Sequence, residues 1–156
     1  MGDETVSENQ VTTVEIVDVE GEEDLSVLSD EVIALLDDAA AELGRVFANE
    51  PYSLRARDAE GRTVGGLAGF STQGWFFVKL LAVSPDVRGT GVGHRLLQRA
   101  EDHARAEGLA GVYLDTYEFQ APVFYARQGY SEIGRLPAVG DAPQRIWFAK
   151  PFQVEG

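Results

Sequence analysis

Apolar and polar positions along this chain change their period several times, and each change predicts an element. Between residues 11 and 19 β-branched residues alternate loosely with polar ones, which predicts a first strand. From Leu25 the spacing turns helical: Leu25, Leu28, Val32, Leu35, Leu36, Ala39 and Leu43 share one stripe, with Asp30, Glu31, Asp37, Asp38 and Glu42 on the other faces. Gly44 and the Asn49-Glu50-Pro51 stretch end that region. Two strands follow, at 52–56 and 63–70, joined by the turn Asp58-Ala59-Glu60-Gly61. Residues 75–83 form a nearly unbroken apolar run, the mark of a strand buried on both faces.

Ser84-Pro85-Asp86 stops that strand, and Gly91 opens a helix expected to end at Gly108. Val92, Leu96, Leu97, Ala100 and Ala104 make its apolar stripe. A strand at 112–115, a short helix at 122–128 ended by Gly129, and closing strands at 130–135 and 145–150 complete the series. The order predicts a mixed α/β sheet in one domain spanning 11–156, after a polar acidic tail, 1–10, expected to be disordered.

Composition narrows the function classes. The 156 residues suit one domain with a sizeable core, and no apolar run is long enough to cross a bilayer. Cysteine is absent, which removes disulfides, thiolate metal sites and a cysteine nucleophile, and suits a reducing cytoplasm. With only His94 and His103, no metal cofactor is expected. Net charge is −13, concentrated in the first 50 residues, which hold 15 acids against Arg45 alone. Nucleic acid and membrane are poor partners for such a chain. The charge fits either a solvated surface or a preference for cationic ligands.

The candidate chemistry lies in Arg88-Gly89-Thr90-Gly91-Val92-Gly93, between the buried strand and a helix start. Three glycines clear the backbone of Cβ atoms, and a helix N-terminus offers unpartnered N–H groups and a partial positive charge. A pyrophosphate suits that position, with Arg88 adding a charge-assisted bond. The glycines alone fit equally a plain strand-to-helix turn. A dinucleotide fingerprint would need glycine where His94 stands, and a mononucleotide P-loop would need a lysine that the loop lacks.

The run from Leu81 to Leu97 resembles the Arg/Gln-x-x-Gly-x-Gly/Ala signature of the GCN5-related N-acetyltransferase superfamily. A second stretch, from Leu114 to Tyr130, is similar to the family's later strand and helix. The resemblance covers roughly residues 11–150 and implies a mostly antiparallel mixed sheet flanked by helices, with acetyl-coenzyme A as co-substrate. It implies that Leu81, Ala82 and Val83 line the pantetheine arm and that an N–H near Leu81 or Ala82 polarises the thioester carbonyl. The amides of Arg88, Gly89, Thr90, Gly91, Val92 and Gly93 would hold the pyrophosphate. Tyr125 would face the coenzyme sulfur, although a tyrosine on a short helix also fits core packing. Glu118 and Asp115 are the nearest acids in sequence and the candidate bases, or else surface acids. Relatives often carry an acid near the position of Lys79, so a base on that strand is in doubt. His94 is a candidate phosphate contact.

The activity expected is acetyl transfer to a primary amine of a small cationic molecule such as a polyamine or aminoglycoside. Acetylation of a protein lysine or N-terminus, and a non-catalytic acyl-coenzyme A sensor, are the alternatives. A homodimer stays open.

Overall fold

The computed structural model describes residues 13–153. The chain divides into two compact units, Met1–Val46 and Phe47–Gly156, taken here in turn.

In the first unit, residues 13–20 are irregular, so the strand expected at 11–19 does not form there; Val11, Thr12 and the expected acidic tail lie outside the described residues. Loose β-branched alternation marks a strand only where a neighbouring strand accepts its hydrogen bonds, and no described residue does so. The helix α1 runs Glu22–Glu42, with Glu22, Glu23 and Asp24 in its first turn, where they favour the positive end of the helix dipole. Gly44, at φ 69°, ends it, and Arg45 N–H donates back to the Ala40 carbonyl at 2.9 Å.

The second unit is a six-stranded sheet in the order β1-β2-β3-β4-β6-β5. Strands β1 (Glu50–Arg57), β2 (Thr63–Thr72) and β3 (Trp75–Val83) form an antiparallel meander. Its first turn is held by Asp58, whose Oδ1 accepts the N–H groups of Glu60 and Arg62 at 2.9 Å. Its second is the tight Gln73-Gly74 turn, both residues at positive φ. A crossover through α2 (Val92–Ala106) then places β4 (Gly111–Tyr117) parallel to β3. Helix α3 (Pro122–Arg127) and the antiparallel pair β5 (Ser131–Arg135) and β6 (Arg145–Pro151) close the sheet. The mixed sheet is the one the residue pattern implies, and its mostly antiparallel, helix-flanked form is the one the family resemblance implies.

The core is what the α2 stripe demands. Leu96, Leu97, Ala100 and Ala104 are buried against Phe76, Val112 and Leu114 of the central strands. Burying a leucine such as Leu97 contributes about 2 kcal/mol. His103 stacks on Tyr52 at 3.7 Å between ring centroids, which fixes α2 against β1 and leaves this histidine a packing role.

One defect in the ladder positions the site. Gly69 pairs with Val78 and Ala68 pairs with Leu80, so Lys79 is an extra residue bulged out of β3. Gly69 is required opposite the bulge, because a Cβ there would press into the Phe77 carbonyl and lie 2.8 Å from the Phe76 ring. At the same level the parallel pairing of β3 with β4 ends, at Val78 with Leu114. Beyond it β3 continues beside β2 to Val83, while β4 continues beside β6 to Tyr117. The two central strands therefore splay and leave a wedge between them.

Candidate active site

The wedge is a cavity of about 630 Å³ whose walls include Leu81, Ala82 and Val83 of β3, Arg88 and Gly93 of the glycine loop, and Phe124 and Tyr125 of α3. Residues predicted from two separate motifs thus meet at one opening. The loop takes its shape from its glycines. After the single 3-10 turn Pro85–Val87, Gly89 adopts φ 77° and Gly91 φ 87°, values that L side chains rarely reach. Thr90 Oγ1 donates to the Val87 carbonyl and pins the turn between them. Gly91 caps α2, and the first helical bond runs from Arg95 N–H to the Gly91 carbonyl at 3.0 Å. The amides of Val92, Gly93 and His94 precede that first bond and are free to meet an anion.

A cleft of about 710 Å³ runs along this helix start between the loop and α3. Arg88 and Arg127 both line it, and neither has a carboxylate partner among the described residues. A Cβ built on Gly89 or Gly91 would meet nothing within 4 Å, so the space above the loop is open to a ligand. Gly93 lies close to α3, where a Cβ would be 3.4 Å from the Phe124 ring. His94 Nδ1 pairs with Gln128 Oε1, which joins α2 to α3 at the cleft mouth. These features fit a diphosphate-bearing coenzyme: anion donors, two uncommitted guanidinium groups and room above the backbone.

Tyr125 is 7% exposed, packed between Phe124, Tyr130 and Phe148. Its hydroxyl has no hydrogen-bond partner among the described residues, while its side chain borders the wedge cavity. Packing and exposure to the site therefore coexist in one residue. Burial, with a smaller push from the Asp115 charge, raises its phenol to about 12.

The two candidate acids sit differently. Asp115 Oδ1 accepts from Arg145 Nε and from its terminal guanidinium nitrogen, both at 2.9 Å, and Arg145 also lies over the Trp147 ring. Glu118 is exposed on the glycine-loop cleft, and its Oε1 accepts only a backbone N–H, that of Gln144, at 3.3 Å. Sequence reasoning assigned nothing to Arg127, Gln120 or Gln128. Gln120 Oε1 accepts from Tyr117 N–H at 3.0 Å and from Thr116 Oγ1 at 3.3 Å, so it shapes the turn leading into α3. Its position after a strand end was the only signal for that role. Among the described residues no group of histidines, cysteines and acids is arranged to hold a metal ion, and no helix is long and apolar enough to cross a membrane.

Residues 49–132 match the acetyltransferase (GNAT) domain family. The chain belongs to the GNAT acetyltransferases. It is 43% identical to the blasticidin-S acetyltransferase of Streptomyces morookaense over 56% of this chain and 65% of that one. It is 32% identical to the IAA acetyltransferase of Azospirillum brasilense over 81% of this chain and 94% of that one. The crystal structure of an acetyltransferase-fold protein from Agrobacterium tumefaciens superposes with a TM-score of 0.74 at 30% identity, covering 90% of this chain and 99% of that one. As a member of this family the chain is an acetyl-coenzyme A-dependent acyltransferase.

Proposed function

We propose that this acetyltransferase moves the acetyl group to a primary amine of a small cationic molecule, with the coenzyme held across the wedge and the glycine-loop cleft. The observation that carries the reading is that Arg88 and Gly93 of the glycine loop and Tyr125 of α3 line one cavity at the open splay of the sheet. In it, the amides of Arg88, Gly89, Thr90, Gly91, Val92 and Gly93 take the pyrophosphate, with Arg88 and Arg127 adding charge. The backbone of Leu81, Ala82 and Val83, which has no β4 partner beyond the Val78 pairing, takes the extended arm and polarises the acyl carbonyl. The coenzyme supplies an activated thioester; the protein supplies position and electrostatics.

Tyr125 holds its proton in this scheme. A phenol pushed up to about 12 gives its proton to a thiolate of ordinary pKa ~8.5 only uphill, by about 5 kcal/mol. Its Oη therefore acts as a hydrogen-bond donor to developing negative charge, or passes on a proton from water, and is not itself left ionised. An alkylammonium of pKa ~10.4 is neutral only about once in 2,500 molecules at pH 7, so a base must assist. We assign that task to Glu118, directly or through water, because Asp115 already carries Arg145 and acts on Tyr125 through its charge.

The net charge of −13 supports a cationic acceptor by raising its local concentration. The experiment is a screen of amines for thiol release from acetyl-coenzyme A: polyamines, aminoglycosides, amino acids and lysine peptides. Turnover confined to lysine peptides would move the acceptor to proteins. Tight coenzyme binding with no turnover on any amine would leave a sensor.

A further inference from the structure

We propose that Gln120 reads the arm of the coenzyme: its side-chain amide donates to an oxygen of the arm where the arm passes from the glycine-loop cleft into the wedge. The proposal rests on the coenzyme lying across those two cavities. The residues that border both are Val83, Arg88, Gly93, Gln120, Ala121 and Phe124. Among these, only Arg88 and Gln120 have polar side chains. Of the two cavities, Leu81, Ala82 and Tyr125 border the wedge alone, and Gly89, Gly91 and Arg127 the cleft alone. Gln120 therefore stands at the passage between the diphosphate position and the thioester position.

The neighbours of that side chain settle which way its amide is turned. Its Oε1 accepts from the Tyr117 N–H at 3.0 Å and from Thr116 Oγ1 at 3.3 Å, and Thr116 is buried. A backbone N–H can only donate, so the atom it meets is the amide oxygen and not the nitrogen. The Gln120 backbone N–H also donates to the Tyr117 carbonyl at 2.9 Å, so main chain and side chain together tie the residue to the strand end. Nε2 is the other end of the amide, and no described residue accepts from its N–H groups. A donor already held in place gives up little freedom when it meets its acceptor. The arm is uncharged, and its polar groups are a hydroxyl and amides whose oxygens accept. Arg88 suits the charged diphosphate, while a neutral donor suits the neutral arm. Glutamate at this position would accept the same bonds from the turn and offer no donor, so the turn alone does not require the glutamine nitrogen.

The test is calorimetric titration of the full chain with acetyl-coenzyme A and with adenosine 3′-phosphate 5′-diphosphate, the coenzyme's nucleotide without its arm. The ratio of the two affinities measures what the arm contributes. In Gln120→Glu that ratio should fall about tenfold, because a carboxylate replaces the donor. Its added charge acts on both ligands and cancels in the ratio, and thermal denaturation should match the parent chain because the turn keeps its acceptor. Gln120→Met, which adds no charge, should lower the ratio to a similar extent. An unchanged ratio in Gln120→Glu overturns the proposal, and a fall confined to Gln120→Met does so too by leaving Gln120 only its part in the turn. A parent chain that binds neither ligand would instead sink the coenzyme site itself, and this proposal with it.

Discussion

The Lys150 ammonium lies 2.6 Å from Oε1 of Glu101, an ion pair that ties β6 to the second half of α2. Tyr130 Oη donates to the other carboxylate oxygen at 3.2 Å, and Glu101 is only 5% exposed. The burial of this acid is thereby explained: it accepts from the buried Tyr130 hydroxyl and from the partly buried Lys150, whose ammonium also donates to the Gln128 carbonyl at 3.0 Å. The pair holds together the helix that begins at the glycine loop and the strand that supports β4.

Removing one member should therefore cost stability more than activity. Glu101→Ala leaves the partly buried Lys150 charge with the Gln128 carbonyl alone and the buried Tyr130 hydroxyl without its acceptor, and is expected to lower unfolding free energy by about 2–3 kcal/mol. Thermal denaturation measures it. A double variant, Glu101→Leu with Lys150→Met, should recover much of the loss, since apolar replacement leaves no orphaned charge. A loss within about 0.5 kcal/mol, as for an ordinary surface substitution, would show that solvent already screens the pair.

At Gly91 two effects can be separated. Gly91→Ala meets no atom but must adopt φ 87°, at a cost of about 1–2 kcal/mol in stability. It should stay folded and keep coenzyme affinity within a few fold. Gly91→Asp carries the same backbone strain plus a negative charge at the pyrophosphate position, and should abolish detectable binding in calorimetry. Equal affinities for the two variants would mean that no anion rests on this turn.

Tyr125→Phe keeps the ring contacts with Phe124, Tyr130 and Phe148 and deletes only the hydroxyl. Turnover should fall about a hundredfold to a thousandfold, equivalent to ~2.7–4 kcal/mol, with little change in coenzyme affinity. Because burial raises the folded value to about 12 while the unfolded value stays near ~10, the fold favours the protonated phenol. That contribution to stability is complete below pH ~10 and is lost as pH rises through about 12. Ultraviolet titration should thus show a phenolate step near the upper value that disappears in the variant. Full activity of the phenylalanine enzyme on a good acceptor would reduce Tyr125 to packing.

What the residue pattern could show followed the range of the interactions concerned. The strand Trp75–Val83 was readable to both ends because its signal is local: an apolar run between Gly74 and Ser84-Pro85. The stripe of α2 and its glycine cap were local too. The wedge was not, because a splay depends on where a parallel partner 36 residues away stops pairing, as Val78 and Leu114 show. The Asp115–Arg145 pair lies 30 residues apart in sequence and is equally invisible without the β4–β6 register. At residues 13–20 the local pattern misled, since β-branched alternation records compatibility with a strand rather than the presence of a partner.

The two acids predict opposite outcomes. Asp115→Asn releases Arg145, and should destabilise by about 1–2 kcal/mol while turnover falls modestly. Glu118→Gln removes only an acceptor for Gln144 N–H that the amide oxygen can replace, so stability should hold while kcat drops about tenfold or more at neutral pH. Raising the pH should narrow that deficit, because more acceptor is then already neutral. A deficit independent of pH would assign Glu118 to the turn and not to proton transfer.

The acceptor can be read through salt. A chain of net charge −13 sets up a field that draws cations in, and association of a polycationic amine should be raised tenfold or more at low ionic strength. Exposed charges are screened beyond roughly 8 Å at 0.15 M, so that advantage must fade as salt is added. A neutral amine feels no such field and should be nearly indifferent. The expected result is therefore a kcat/KM for a polyamine that falls steeply between low and high salt, beside a flat profile for the neutral amine. Parallel profiles would mean that the acidic residues serve solvation alone. In that case the choice of acceptor would rest with the side chains lining the wedge.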